Sequence, residues 1–240
     1  MRLTITPDAS VAAVAAAELL AGWITDAVTA RGRATIALSG GQTPRQMLEV
    51  LRGRPVRWDA LHVLQVDERV VPSGDDRRNA RHIEELLCRE GALPLANFYP
   101  MPVEQPALEA AAGRYAALLT RLAGNPPILD VVHLGLGTDG HTASLVPGDA
   151  LLNEIRREVG ISSPYHELKR MSLTFPPLGR ARHVLWLITG AGKAPMLRRL
   201  AEGDRGIPAG RVARARALVV ADSAAAAELP SSRATPTAGG

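Results

Sequence analysis

The chain has almost no cysteine. One residue of 240 is Cys, Cys88, which excludes an internal disulfide framework and a cysteine-built metal cluster. In its setting, RHIEELLCRE, it reads as a small buried or half-buried apolar residue on a helix. Aromatics are scarce too, at 3% against 46% hydrophobic residues, so a sizeable core has to come from Ala, Leu, Val and Ile. The net charge of +4 rests on scattered arginines, without a long basic run or interleaved aromatics. That pattern argues against a nucleic-acid partner. No transmembrane span is legible. The Ala-rich stretch from Val11 to Ala30 carries Glu18 and Asp26 and lacks a basic lead-in, so it reads as an amphipathic helix and not a signal peptide. No membrane partner is expected, and the expected location is cytoplasmic.

Lysine is the sharpest shortage. Of 28 basic residues only Lys169 and Lys193 are Lys, and 26 are Arg. A lysine that survives this bias invites a reason. A compact ammonium at a phosphate or a reacting centre is one, chance survival another.

What is present alternates between two kinds of segment. Short apolar runs at 34–39, 61–67, 129–137, 170–175, 183–189 and 217–222 read as strands. Between them lie helical patterns: one capped by Asp8 or Ser10 and running to about Ala30, one after Thr43-Pro44, and others at Asn79–Glu90, 104–124 and after Lys193. This predicts an α/β fold, Rossmann-like, with a mostly parallel sheet covered by helices on both faces. A single domain is expected over 1–222, followed by a flexible Ala-, Ser-, Pro- and Gly-rich tail over 223–240.

In such sheets ligands bind beyond the carboxyl ends of the strands. Four unusual loops fall there. SGGQTP (39–44) has two glycines for close backbone approach and Thr43-Pro44 as a helix start; it suits an anion, or is an ordinary well-capped turn. VDERVVP offers Asp67 and Arg69, as a hydroxyl-orienting carboxylate with an anion clamp or as a salt-bridged pair. GLGTDGHTASLVPG (135–148) sets Asp139 and His141 around Gly140, so both side chains can face one cavity with the imidazole as general base, or they are a turn Asp and a surface His. Arg170 and Lys193 are separated cations that can join SGG around a phosphate. His133, inside an apolar run, reads as a satisfied core histidine, and His62, His82, His166 and His183 read as structural. No His pair at helical spacing suggests zinc.

In this order and spacing, SGGQTP, VDERVVP, LGLGTDGHTASLVPG, RMSLTF and GAGK resemble the 6-phosphogluconolactonase family, over nearly the whole chain. The resemblance implies a hydrolase: it opens 6-phospho-D-glucono-1,5-lactone to 6-phospho-D-gluconate in the oxidative pentose phosphate pathway, without metal or organic cofactor. The implied partner is a small phosphosugar lactone, and the chain is expected as a monomer or weak homodimer. By residue, the match implies phosphate binding by Gly40, Gly41 and Thr43 with Arg170 and Lys193. Asp67, Arg69 and Asp139 would line the sugar end, and His141 would activate water. Two positions depart from the family pattern: Arg78, where Ser is more frequent, and Val146, where Phe is usual.

Two other readings share the fold. The related isomerase/deaminase carries a Glu before the Pro that follows its DGH segment. Here that position is Val146, which cannot move a proton. A non-catalytic sugar-phosphate sensor is the second; the presence of both Asp139 and His141, and the lack of a helix-turn-helix segment, weigh against it.

Overall fold

The computed structural model describes residues 1–230. Five of the six apolar runs become strands of a seven-stranded sheet in the order β1-β10-β9-β6-β2-β3-β5, parallel at every junction, whose two edge strands, β1 and β5, the sequence reading did not find. The strands are β1 (Arg2–Thr6), β2 (Ala34–Leu38), β3 (Leu61–Gln65), β5 (Phe98–Tyr99), β6 (Val131–Leu134), β9 (His183–Ile188) and β10 (Ala217–Asp222). All residues of β2, β6 and β10 are buried, which is why these strands read as continuous apolar runs rather than alternating ones.

Helices cover both faces, with a core on each. On one side α1 (Ala9–Arg31), α2 (Gln42–Leu51) and α3 (Asn79–Ile83) pack Leu20, Ile24, Met47, Leu51 and Ile83 against Ile36, Val63 and Leu185. On the other α4 (Leu108–Ala123), α5 (Phe175–Arg180) and α6 (Ala194–Glu202) bring Tyr115, Leu119, Leu178 and Leu197 to Leu64, Val132, Leu134 and Trp186. By length and composition α1 could cross a membrane. Its Ala12, Ala13, Ala16, Ala17, Leu20 and Ile24 are instead buried in the first core, which makes it a core helix. Its outer face retains Val11 and Val14, so the expected polar contrast between faces is weak; small alanines, not polar residues, mark which side is inside.

Several elements differ from the sequence expectation. The run at 170–175 is the end of β8 (Leu168–Leu173), and Phe175 already belongs to α5. The helix expected at 104–124 begins at Leu108. The one expected at Asn79–Glu90 is a short α3 continued by a π-helical stretch, Glu84–Arg89. A second sheet was not anticipated: β4 (Asp67–Arg69), β8 and β7 (Val159–Tyr165) form an antiparallel ribbon in the order β4-β8-β7. At the end of β10 the chain stays attached. Ser223 Oγ donates to the Thr6 carbonyl, the Ala225 amide donates to Asp222, and Ala225 is buried. Packed contacts therefore run a few residues beyond residue 222, and residues 231–240 of the expected tail lie outside the described residues.

The position of β2 beside β6 decides where a ligand can go. From β2 the chain builds outward through β3 and β5; from β6 it builds the other way through β9, β10 and back to β1. The order reverses between β2 and β6, and a crevice opens beyond their carboxyl ends.

Candidate active site

The loops leaving β2, β6 and β9 meet in that crevice. Ser39 at the end of β2 is hydrogen-bonded to Nδ1 of His133 on β6 (3.0 Å), and Thr43 at the start of α2 meets the Thr189 hydroxyl after β9 (3.1 Å). The cavity between them has a volume of about 310 Å³. That is in the range of a small-ligand pocket. Gly40, Gly41, Thr43, Asp67, Arg69, His141, Arg170 and Lys193 all line it, and Asp139 stands directly behind His141. All nine residues singled out from the sequence are thus brought together.

On the α2 side, Thr43 is not the cap that its neighbour Pro44 suggested. The helix starts at Gln42, and its N-cap is Gly41 with φ +116°, a conformation that excludes a side chain. Freed from capping, the Thr43 hydroxyl crosses to Thr189. The first turn of this ten-residue helix still lines the crevice, with the positive end of its dipole.

The acidic corner is built on β4. Asp67 does not end β3; it opens β4, opposite Ser172 of β8. It is buried, and its Oδ2 accepts from the Ser144 hydroxyl at 2.6 Å. Arg69 lies directly across from Arg170 in the β4-β8 register, so two guanidinium groups share one side of the cavity. Arg170 is buried within β8, not ahead of it. Burial pushes its guanidinium down, while Asp67 holds it up and Arg69 depresses it further. An arginine stays charged through such a shift. Two facing guanidinium groups beside the one carboxylate of Asp67 leave net positive charge, which favours an anion there.

Sequence reasoning missed what fixes this corner. Glu68 is fully buried and accepts from the Arg69, Asn79 and Ala80 amides (2.8, 2.9 and 2.7 Å) and from Gln65 Nε2 (2.9 Å), with Arg78 Nε at 3.4 Å. One carboxylate caps α3 from outside and pins β4 to it. Asn79 then accepts from Arg69 (2.9 Å) and donates to the Asp67 carbonyl (3.0 Å). The 72–81 loop, with Arg78 buried against the Val71 carbonyl, is therefore the support of Arg69. A charged triplet, DER, is the only trace of this in the sequence.

The general-base candidate lies in the loop that follows β6. The Gly137 amide donates to the His141 carbonyl (2.8 Å), and the loop between them folds tightly enough for Asp139 Oδ1 to accept from both the His141 amide (3.1 Å) and ring Nδ1 (2.6 Å). The bond to Nδ1 sets the tautomer: the proton sits on Nδ1 and Nε2 keeps its lone pair. Partial burial pushes the Asp139 carboxyl up. The amide and ring of His141 and the hydroxyl of Tyr165 outweigh that effect and hold it below its ordinary value. Burial pushes the Lys193 ammonium down, and Asp139 opposes it. Of the other loop hydroxyls, Thr142 donates to the Gly135 carbonyl and Ser144 to Asp67, so both serve the scaffold.

Residues that the sequence reading left aside also line the cavity, among them Tyr165, His166 and Asn79. Tyr165 closes β7 and His166 follows it in the turn to β8, so His166, expected to be structural, lines the cavity, and Asn79 comes from α3. Tyr165 could have been suspected as one of only three tyrosines. His133 is the core histidine expected, but only half satisfied: Nδ1 meets Ser39, Nε2 has no partner among the described residues, and burial pushes its pKa down to about 4. Among the described residues no group of three or more His, Cys, Asp or Glu could hold a metal ion.

Comparison with known proteins gives consistent results. Residues 7–221 match the family model of glucosamine-6-phosphate isomerases/6-phosphogluconolactonase. A 6-phosphogluconolactonase of Mycobacterium tuberculosis is 35% identical over 243 residues, covering 95% of this chain and 98% of that protein. One of Rhizobium meliloti is 37% identical over 211 residues, covering 83% and 88%. The solved 6-phosphogluconolactonase of Trypanosoma brucei superposes with a TM-score of 0.82 at 26% identity, covering 95% of this chain and 98% of that one.

Proposed function

The chain belongs to the family of glucosamine-6-phosphate isomerases and 6-phosphogluconolactonases, and from that premise we propose that it is a lactonase, hydrolysing 6-phospho-D-glucono-1,5-lactone to 6-phospho-D-gluconate through water activated by His141. The observation that carries this reading is the Asp139–His141 pair, hydrogen-bonded at 2.6 Å beside a cavity that two arginines and a lysine also line.

A δ-lactone is an activated ester. Its hydrolysis needs a positioned water, a base and donors for the tetrahedral oxyanion. With Nδ1 tied to Asp139, Nε2 of His141 takes the proton from water as the oxygen attacks C1. Asp139 stabilises the imidazolium that results. The C1 carbonyl becomes an oxyanion, met by Arg69 or by loop amides. Collapse breaks the bond from C1 to the ring oxygen, which leaves with the proton returned by His141. The phosphate sits against the amides of Gly40, Gly41 and Thr43 at the start of α2, with Arg170 and Lys193 balancing its charge. Binding at that end holds the carbonyl in line with the water. Val146, the position where an isomerase would keep an acid, is buried and apolar, so the loop after His141 has no second proton carrier there. A cytoplasmic place and a small-molecule partner belong to the same reading.

The test follows the decay of freshly made lactone at mildly acidic pH, where the spontaneous reaction is slow, with glucosamine 6-phosphate in a parallel reaction. Fast lactone loss without release of ammonia is expected, and His141→Ala should lower kcat by roughly 10²–10⁴. Lactone decay at the spontaneous rate would reject the lactonase reading; an unchanged kcat in His141→Ala would remove His141 from the role of base.

A further inference from the structure

We propose that Tyr165 is a positioning residue for this reaction: it clamps the Asp139 carboxylate behind His141 and seats Arg170, so that one side chain aligns the base and the anion-binding cation. This rests on the lactonase reading above, but the geometry that carries it stands alone.

The contacts are direct. The Tyr165 hydroxyl donates to Asp139 Oδ2 at 3.0 Å, while Asp139 Oδ1 is occupied by the amide and ring of His141. A carboxylate turns easily about its last bond. Held at both oxygens, it cannot swing away from the imidazole. The hydroxyl keeps its proton for this bond, because burial and then Asp139 push the tyrosine up from its ordinary value. The same ring lies edge-on to the His141 ring, with centroids 5.4 Å apart, and the Arg170 guanidinium carbon is 5.0 Å from its centroid. A cation over an aromatic face is attracted to it.

Tyr165 reaches this place through an irregularity of the hairpin. Ser162 pairs with Arg170, but Tyr165 pairs with Leu168, so the register slips by one between them. In a regular strand, residue 165 would face away from Ser162 and Arg170. The extra residue turns Tyr165 onto the face of Arg170, which is what a bulge beside a functional site does. The two turn residues, His166 and Glu167, have φ of +48° and +65°. Two left-handed residues in succession are the pattern of a tight hairpin turn that Asn and Gly normally occupy. The chain keeps the geometry with residues that disfavour it.

Two variants separate the roles. Tyr165→Phe keeps the ring and removes the hydroxyl; Tyr165→Leu removes both. For Tyr165→Phe, kcat for the lactone should fall about tenfold with KM nearly unchanged, the scale of a hydrogen bond to a charged group. The acid limb of its pH–rate profile should move up. Without the donor the Asp139 carboxylate keeps more of its charge and favours the imidazolium more strongly. The other charged or titratable groups around this pair, Lys193, Arg170 and His166, are unaltered in that variant. Tyr165→Leu should show the same fall in kcat and, in addition, a several-fold rise in KM as Arg170 loses its platform. Nuclear magnetic resonance titration of the His141 ring without substrate gives a readout independent of activity: its midpoint should rise in Tyr165→Phe. A Tyr165→Phe enzyme with unchanged kcat and an unmoved His141 titration would overturn the inference and leave the lactonase reading standing. If the unaltered protein fails to accelerate lactone decay, the function is wrong, and the titration alone still decides whether Tyr165 governs the pair.

Discussion

Gly137 lies so close to His141 that a methyl group on its Cα would fall 2.1 Å from ring Nδ1 and 2.5 Å from Asp139 Oδ1. The hydrogen-bonded pair occupies the space a side chain would need. Gly137→Ala should therefore fold, because the strand before it is unaffected, yet lose about 10² in kcat through displacement of the base. Circular dichroism together with steady-state kinetics checks this. Full activity in a folded variant would show that the loop can yield without cost.

Lys193→Ala tests the anion end. KM for the phosphorylated lactone should rise roughly tenfold, the loss of one charge-assisted contact, with a smaller effect on kcat. Turnover of unphosphorylated gluconolactone, slow as it would be, should not change. An equal loss on both substrates would move Lys193 from phosphate binding to the chemistry.

Glu68→Gln addresses the support of Arg69. Each carboxylate oxygen accepts two N–H donors. Whichever end the amide nitrogen takes, two of those donors meet a third. The cost should be about 3 kcal/mol in unfolding free energy, since Arg78 also loses its buried counter-charge. Urea denaturation measures it. At temperatures where the variant is folded, KM should rise because Arg69 and Asn79 are no longer held. A shift in stability with KM intact would confine Glu68 to folding.

His133 sets an acid limit on stability. Its pKa in the fold is about 4, below the ordinary value of 6.5. Between these two values the unfolded chain binds a proton that the folded one does not, so stability falls as pH drops from 6.5 toward 4. At pH 5 the loss from this group alone is about 2 kcal/mol. His133→Leu, which keeps the site apolar, should flatten the Tm-against-pH curve in that window. Parallel curves for the two proteins would assign acid sensitivity to other groups.

The five inner strands of the central sheet were legible because they are largely buried and form unbroken apolar runs, while the edge strands escaped: β1 is mostly part-exposed and β5 is two residues long. The loops were legible because glycines, carboxylates and a histidine cluster where such strands end. What escaped were features that depend on pairing across the chain. Nothing local in ISSPYHELKRMSL announces an antiparallel ribbon, since β7 mixes buried and exposed positions irregularly and a bulge breaks its alternation. Glu68 reads as one more surface acid until α3 is folded back over it. Thr43-Pro44 was a sound cap signal in isolation, and Gly41 displaced it because the backbone there must take a positive φ.

The switch between β2 and β6 also has a consequence for assembly. Its closing contacts join residues far apart along the chain: Ser39 to His133 across 94 positions, Asp67 to Ser144 across 77, Thr43 to Thr189 across 146. No contiguous half of the molecule holds a working site, and contacts of such span close late. Catalysis is then a property that arrives with the last stage of folding. A chain cut or stalled part-way would be silent, and returning turnover would time the completion of the whole molecule.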